Sequence, residues 1–355
     1  MNGTNKSTSL QKRVRKQTSS GVTLADVAAL AGVSTASASR ALNSPASVSS
    51  DIRARVNSAA EKLRWIPNGA AKALASSRTG MIGAVIPSLS HQNFSNVIEA
   101  LQAELSDAGY TLLLGFAAFS RDRELTQARK MIERGVECMV LIGEDHSPLL
   151  YQTLMEYKIP YVVTYTNGRD PANKCVGFDN YEAYGQLVQH LLDLGHRQFA
   201  IIAQRTDDND RVRQRVEAAR DTLAAKGIAI RPQHYVQAEN WSINYGRTAF
   251  RKIWETERKP TAVICTNDYL AAGAVFEATK LGIRIPEELS IAGFDDIELA
   301  QNTEPPLTTV HVPDYKMGKE TARFVIALLA GEDSPEPPNI VAELIIRGST
   351  GRHAK

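Results

Sequence analysis

Apolar residues follow two different periods along this chain of 355 residues. Between residues 24 and 75 they recur at helical spacing, whereas residues 81–346 alternate short apolar runs with amphipathic segments. Strands are predicted at residues 81–86, 110–116, 138–142, 161–165, 175–178, 198–203, 235–237, 262–265, 290–294, 308–311 and 343–346. Helices are predicted between most of them, at residues 94–108, 122–134, 181–194, 211–226, 243–256, 268–281 and 314–330. Such alternation predicts parallel sheets that are covered by helices on both faces.

Residues 81–347 are therefore predicted to form a body of the α/β class. Eleven strands are too many for one small open sheet, so two doubly wound subdomains are expected, with the break near residue 179. The first would comprise residues 81–179 with 312–330, and the second residues 181–310 with the C-terminal strand. Ligands in such folds bind beyond the carboxyl ends of the strands, here between the subdomains.

Residues 22–66 are predicted to form a small helical domain. Thr23 and Asp26 can form a capping box on the first helix, and Ser34 can cap the second. The second helix presents small polar side chains and Arg40, a face that fits the major groove of DNA. Two short capped helices joined by a glycine turn also occur as an ordinary helical hairpin, so this segment alone leaves DNA binding open.

A third helix over residues 51–63 is expected to close the core of this domain, and Pro67 follows its end. Residues 67–80 are expected to form a hinge and linker, with Asn68 as the N-cap of a helix over residues 69–75. Isolated helices of this length are unstable in water, so this helix should fold only with support from a partner copy and DNA.

Charge supports a nucleic-acid partner for the N-terminal part. Residues 1–80 contain 12 Lys and Arg against 3 Asp and Glu, whereas residues 81–355 contain 29 basic and 36 acidic residues. A basic head attracts a polyanion because each neutralised phosphate releases counterions. A membrane surface is the alternative, but the head lacks an amphipathic helix with a large leucine or aromatic face. Residues 1–21 are expected to be a disordered basic arm.

Several other classes of protein are excluded by the sequence. There is no apolar run of about 20 residues and no secretory signal, so no membrane span or export is expected. Three separated cysteines in apolar runs indicate reduced thiols and a cytoplasmic protein. A nucleic-acid partner would make this protein nucleoid-associated. An enzyme is the alternative, but no phosphate-binding loop and no histidine cluster of metal spacing is present. His196, the candidate general base, lies in a predicted helix-to-strand turn, so neither catalysis nor a cofactor is expected.

The chain resembles the lactose, purine and gluconate repressor family (LacI type) from about residue 22 to residue 348. The matching segments of the head are VTLADVA from Val22, GVSTASASRALN from Gly32, Val48-Ser49, Trp65-Ile66-Pro67-Asn68 and Ala73-Leu74. Those of the body are MIGAVIP from Met81, Phe178-Asp179-Asn180, LGHR from Leu194, PTAVICTND from Pro260, Gly273-Ala274, GIRIP from Gly282, SIAGFDD from Ser290 and PLTTV from Pro306. Ala38 stands where the family usually has valine, and Gly69 departs from the hinge pattern.

The resemblance implies a homodimer whose helix-turn-helix head reads a near-palindromic operator. Thr35, Ala36 and Arg40 would face base edges, with Arg40 placed for a bidentate guanine contact. Leu74 would enter the central minor-groove step, although a packing role in the short helix is the alternative. The full set of expected DNA-binding residues is Thr23, Ser34, Thr35, Ala36, Ser37, Arg40, Asn43, Asn68, Lys72 and Leu74. Residues 348–355 would be a short tail without a tetramer-forming helix.

The resemblance also implies that a small molecule binds between the subdomains. Trp241 would stack on this effector, or it anchors a core, and Phe94 would line the cleft or act as a hydrophobic staple. Arg211 and Arg215 share a helix face and suit a carboxylate, while Asp268 either joins the site or caps its helix. The expected effector-binding residues are Phe94, Asp179, Arg211, Arg215, Trp241, Asn267 and Asp295.

Four segments favour the gluconate regulators within the family: Pro87–Ser90, His146–Pro148, VGFDN from Val176, and Arg211. A sugar acid is therefore the expected effector. A periplasmic solute-binding protein would share the body but not the basic head. The sequence leaves open whether the effector releases or tightens operator binding, and which genes are regulated.

Overall fold

The computed structural model describes residues 21–76, 78–168, 170, 172–239, 241–331 and 338–353, without the side chains of residues 70, 72 and 75. The chain divides into two compact units, Met1–Arg78 and Thr79–Lys355, which are called the head and the body below. Residues 1–20 of the expected basic arm lie outside the described residues.

Four α-helices form the described part of the head: α1 (Leu24–Ala31), α2 (Thr35–Asn43), α3 (Ser50–Lys62) and α4 (Gly69–Ser76). Thr23 and Asp26 form the predicted capping box of α1, and Gly32 ends this helix with a left-handed φ of 65°. Ser34 caps α2 by accepting a bond from the Ser37 amide. Val27, Ala38 and Val56 are fully buried and join the first three helices in one core.

The described residues of the body form eleven strands: β1 (Met81–Ile86), β2 (Thr111–Phe116), β3 (Cys138–Ile142), β4 (Tyr161–Thr164), β5 (Cys175–Val176), β6 (Phe199–Gln204), β7 (Tyr235–Ala238), β8 (Ala262–Cys265), β9 (Ser290–Ala292), β10 (Thr309–His311) and β11 (Glu343–Ile345). One parallel sheet has the order β2-β1-β3-β4-β5, and a second has the order β7-β6-β8-β9. β10 and β11 form a separate antiparallel pair. The α/β class with two parallel sheets is confirmed.

Nine α-helices are described in the body: α5 (Gln92–Asp107), α6 (Arg121–Glu133), α7 (Pro148–Glu156), α8 (Asn180–Asp193), α9 (Asp210–Ala224), α10 (Ile243–Trp254), α11 (Asp268–Lys280), α12 (Glu298–Gln301) and α13 (Asp314–Ala330). The short helices α7 and α12 were not expected from the sequence. Their signals are weak because each has at most nine residues; for α7 the remaining signal is the Ser147 cap and a proline at its start.

Burial along β3 shows why the sheets need helices on both faces. Cys138, Val140 and Ile142 belong to one apolar cluster, whereas Met139 and Leu141 belong to another. Because alternate side chains of a strand point to opposite faces, both faces of this strand are covered.

The chain returns to the first sheet after β10. Helix α13 packs against α5, and Gly318 permits the close approach because a Cβ there would collide with the Val97 carbonyl. Asn96 also donates to Asp314 at 2.9 Å. The first subdomain, defined here by sheet β1–β5, thus includes α13. The second subdomain is defined by sheet β6–β9.

Candidate functional site: the reading helix and the intersubdomain cleft

One face of α2 is exposed and the opposite face is buried in the head. Ala38 and Ala41 face the core, whereas Thr35, Ala36, Arg40 and Asn43 are exposed. The Nε atom of Arg40 lies 3.4 Å from the Ala36 carbonyl. A small, polar face with one arginine is the shape and chemistry that the major groove accommodates.

Other predicted DNA-binding side chains serve first as helix caps. Thr23 accepts from the Asp26 amide and donates to its carboxylate, while the Ser34 and Ser37 hydroxyls lie 2.9 Å apart. Asn68 accepts from the Ala71 amide at the start of α4. These residues define where the helices begin, and any phosphate contact would add to that role.

Leu74 lies on α4 with 87% of its surface exposed. The packing role weighed for it is therefore not seen within the head. The side chain of Lys72, another predicted contact, lies outside the described residues.

The cleft of the body lies beyond the carboxyl ends of the strands. A small inner chamber of about 30 Å³ brings together four of the expected effector residues, Phe94, Arg211, Arg215 and Asp295. The same chamber is also lined by His91, Asn93, Phe119, Tyr165, Gln204, Asn209 and Val212. Sequence reasoning missed those seven because no local pattern shows which residues of a turn, a strand end or a helix start face the cleft. For His91 and Asn93 the available signal was their place in the SHQNF segment.

Two buried arginines supply the positive charge of the inner chamber. Asn180 Oδ1 accepts from Nε of Arg215 at 3.0 Å, and the Thr266 carbonyl accepts from its Nη1 at 2.7 Å. The same guanidinium lies 3.6 Å from the centre of the Phe294 ring. Arg211 donates through Nη1 to the Ile142 carbonyl at 2.8 Å and pairs with Asp210 at 3.2 Å. Since a guanidinium has five N–H donors, these bonds fix both groups without using all of their donors.

Asp295 and His91 share the chamber in unusual protonation states. Burial raises the pKa of Asp295 to about 7, although Arg215 at 3.8 Å opposes the shift. Burial, with Arg215 and Arg211 nearby, lowers the pKa of His91 to about 4, so its ring is neutral at pH 7. The His91 Nε2 atom lies 3.5 Å from the Asp295 carboxylate. Protonation of Asp295 therefore removes a negative charge, and the net charge of the chamber becomes more positive.

Two buried polar atoms of the chamber have no partner within the described residues: Nδ1 of His91 and the Tyr165 hydroxyl. Burial also raises the pKa of Tyr165 well above 10, so this group stays protonated. Buried polar groups are normally hydrogen-bonded, and exceptions of this kind occur at ligand sites. Both residues line the inner chamber, and the two atoms can bond to hydroxyl groups of a ligand.

Aromatic rings border the same region. The rings of Trp241 and His91 are 5.3 Å apart, and those of Trp241 and Tyr269 are 5.0 Å apart. Trp241 lines an outer chamber of about 290 Å³ together with Phe119, Gln204, Asn209 and four further residues. Phe94 lines the inner chamber and packs in the apolar core, but it is the third residue of α5 and is not at a hydrophobic-staple position.

The structure does not bring every predicted residue into the cleft. Asp179 caps α8 by accepting from the Glu182 amide, also accepts from Asn167, and lines a separate surface cavity. This position does not match the prediction that Asp179 lines the cleft. Strand β5 has only two residues, so Asp179 lies at the start of α8 rather than at the end of a longer strand. Asn267 is outside both chambers and is the residue that caps α11, through the Leu270 amide at 2.9 Å.

Asp268 therefore does not have the capping role that was considered for it. Its carboxylate accepts from the Thr309 hydroxyl at 2.6 Å and from the Ile297 amide at 3.0 Å. Burial raises the pKa of Asp268 well above its ordinary value. Asp268 thus holds the Asp295 loop and the β10 strand in place behind the chamber.

Three residues that line the cleft have an unusual backbone conformation. Phe119, Tyr165 and Asp295 line the inner chamber and have left-handed φ values of 58°, 69° and 113°. Bulky and branched side chains avoid this region, and such strain concentrates at functional sites.

Ion pairs join the subdomains beside the cleft. Arg121 of the first subdomain pairs with Asp145 and lies 3.1 Å from Asp208 of the second. Arg213 of the second subdomain pairs with Asp145 at 3.0 Å. This network, called the clasp below, is defined by Arg121, Asp145, Asp208 and Arg213, and it would be broken if the subdomains moved apart.

The capped head with its exposed reading helix and the body with its charged cleft define a ligand-responsive DNA-binding regulator. A model described as bacterial regulatory proteins of the lacI family matches residues 23–68, and one described as a periplasmic binding protein-like domain matches residues 188–350. The transcriptional repressor CytR of Escherichia coli K12 is 30% identical over 339 residues, which cover 94% of this chain and 98% of CytR. The chain belongs to the LacI family of bacterial regulatory proteins, and it is a DNA-binding transcriptional regulator.

Solved structures agree with this assignment. The transcription regulator GntR from Chromobacterium violaceum is 28% identical with a TM-score of 0.72, covering 76% of this chain and 99% of that one. The lac repressor dimer bound to operator and the anti-inducer ONPF is 24% identical with a TM-score of 0.84, covering 93% and 99%, and it supports the fold. None of the helices in the described part of the chain combines the length and apolar character needed to cross a bilayer.

Proposed function

We propose that this regulator is a homodimeric repressor whose affinity for a near-palindromic operator is controlled by a sugar acid bound in the cleft. It acts in the cytoplasm, at the nucleoid, and its body binds without catalysing a reaction. Supporting this, the relative CytR is named a repressor, and the lac repressor was solved as a dimer on its operator. The observation that carries the effector class is the pair of buried arginines facing the inner chamber.

The head supplies affinity and sequence choice through different residues. Arg40 is exposed on the reading helix and would make a bidentate contact with guanine, while Thr35 and Ala36 contact neighbouring base edges. Asn43, with the capped helix starts, would hold phosphates and set the register. Leu74 would enter a base step of the minor groove from the hinge helix.

A sugar acid satisfies the chemistry of the cleft better than a neutral sugar does. Its carboxylate would accept charged hydrogen bonds from Arg211 and Arg215, which are stronger than neutral ones. Its hydroxyls would bond to His91 Nδ1 and the Tyr165 hydroxyl, whose protonation is constant at neutral pH. Trp241, at the entrance, would cover an apolar face of the ligand.

Effector binding would act on the operator through the closure of the two subdomains. A ligand that favours one spacing of the subdomains also favours one spacing of the two hinge helices in the dimer, and operator affinity changes by linkage. The clasp opposes separation of the subdomains, so the free energy of closure depends on its ion pairs.

Calorimetry tests the effector class. Full-length protein is titrated with gluconate, ketogluconates, neutral hexoses and a purine, and heat is expected with the acids. Affinity for gluconate should rise between pH 8 and pH 6, because protonation of Asp295 removes the negative charge nearest Arg215. Heat only with a neutral sugar or a purine would contradict the proposal. Footprinting on the DNA upstream of the gene tests operator binding. If no part of this DNA is protected at low salt, with or without ligand, the proposed operator binding is contradicted.

A further inference from the structure

Phe119 occupies the boundary between the two chambers of the cleft. Its side chain lines the inner chamber of about 30 Å³ and the outer chamber of about 290 Å³. Gln204 and Asn209 also line both chambers. Gln204 ends strand β6, and Asn209 is held as the N-cap of α9 by a bond from the Val212 amide. Of these three boundary residues, Phe119 alone belongs to a turn.

That turn has an unusual sequence for its conformation. The Ser120 amide donates to the Ala117 carbonyl at 2.9 Å, so Ala118 and Phe119 are the central residues of a four-residue turn. Their φ values are 47° and 58°, the two left-handed positions of a type I′ turn. Asn and Gly are favoured at such positions, whereas Ala and Phe are strained there. The residue types of this turn therefore do not favour its backbone conformation, and the partly buried Phe119 ring is held by packing against the large apolar cluster of the body.

The volumes show that the effector cannot enter without a movement. An inner chamber of about 30 Å³ has room for roughly two water molecules, whereas small-molecule sites generally measure about 300–1,000 Å³. Separating the subdomains would break the clasp pairs between Arg213 and Asp145 and between Arg121 and Asp208. Rotation of the Phe119 side chain requires none of these pairs to break, and the ring lines both chambers.

We propose that Phe119 is a gate between the two chambers, which limits the size of effector accepted and the rate at which it enters. The proposal rests on the proposed function in placing the effector in this cleft. In wild type the ring moves aside to admit a ligand of one sugar unit to the arginines, and the ring still occupies the space that a longer ligand would need. With the ring removed, the joined chambers accommodate a sugar acid that carries a second ring against Trp241.

The first test does not require an identified effector. Diethyl pyrocarbonate modifies neutral histidines, and His91 lines the inner chamber but not the outer one. Its rate of modification in the full-length protein is measured by peptide mass spectrometry, with buried His196, which lies outside both chambers, as the internal reference. We expect His91 to react several-fold faster in Phe119→Ala than in wild type, and at an intermediate rate in Phe119→Leu. Phe116→Ala is the matched control, because Phe116 is exposed on β2 and lines neither chamber.

The second test measures the size limit by calorimetry with gluconate and lactobionate, which is gluconate carrying one hexose. Phe119→Ala should gain about tenfold in its preference for lactobionate over gluconate, the scale of a pocket-size change. Thermal unfolding verifies that each variant is folded, and Phe119→Leu carries the test if the alanine variant is not.

Equal His91 reaction rates in wild type and in both Phe119 variants would overturn the gate. Faster reaction without binding of any sugar acid would support the gate and refute the sugar-acid effector. Binding of gluconate together with unchanged reaction rates and size preference would leave the effector class standing and refute the gate.

Discussion

The substitution Leu74→Ala tests the contribution of the hinge helix to operator binding separately from the contributions of the rest of the protein. Leu74 is 87% exposed on α4, so the folded head has almost no packing to lose when the side chain is truncated. If this side chain enters a base step, it is buried only in the operator complex. The substitution should therefore weaken operator binding without changing the thermal stability of the protein or its affinity for the effector.

The size of the effect follows from the burial of one leucine. Full burial of such a side chain is worth about 1.5–3 kcal/mol. Since about 1.4 kcal/mol corresponds to a factor of ten in affinity, the dissociation constant should rise by about 10- to 150-fold.

Fluorescence anisotropy with labelled operator at one fixed salt concentration measures this change. Leu30→Ala is the control, because Leu30 is also an exposed leucine of the head, at 53%, but lies on α1. An unchanged dissociation constant for Leu74→Ala, or an equal loss for Leu30→Ala, would refute the minor-groove role.

Four further substitutions test the reading helix, the cleft and the clasp. Arg40→Lys should keep nonspecific affinity but lose about 1–3 kcal/mol of discrimination against operators with the contacted guanine replaced, as measured by competition binding. Arg215→Gln should abolish effector binding and lower the unfolding free energy by about 3–5 kcal/mol in urea, whereas Arg220→Gln on the exposed side of the same helix should do neither. Asp295→Asn tests a carboxyl whose pKa in the folded protein is raised to about 7. Wild type should lose stability relative to this variant by about 1.4 kcal/mol per pH unit from about pH 4 to 7, because over this range Asp295 is ionised in the unfolded chain but protonated in the folded one. Asp145→Asn should weaken the partly exposed clasp by about 1 kcal/mol or less and reduce the salt dependence of effector affinity. An unchanged salt dependence would show that the clasp does not control closure of the subdomains.

Local features of the head were predictable because they depend on neighbours in sequence. The Thr23 capping box, the Gly32 turn and the Ser34 cap involve residues at most four positions apart, and each was found where the sequence placed it. The strands of the body were equally readable because runs such as 138–142 are apolar on both faces. In contrast, Asn267 caps α11 where Asp268 was considered, since adjacent polar residues at a helix start cannot be distinguished by pattern.

The residues of the cleft were only partly predictable from the sequence. Arg211, Arg215 and Asp295 were expected there and lie together, whereas Asp179, expected beside them, is used in a helix cap. Phe119 and Tyr165 were not expected, because their place in the chamber depends on left-handed turns for which neither residue has a preference.

The sequence by itself determined the helical head, its positive charge, the α/β class of the body and the family, because periodicity, caps and motif order are carried by the chain locally. Tertiary structure alone decided which side chains meet in the cleft, since strands far apart in sequence end side by side there. It also decided their protonation, because the pKa values of His91 and Asp295 depend on burial among residues contributed by both subdomains. The division of the cleft by Phe119 is likewise a property of the folded turn rather than of its residues.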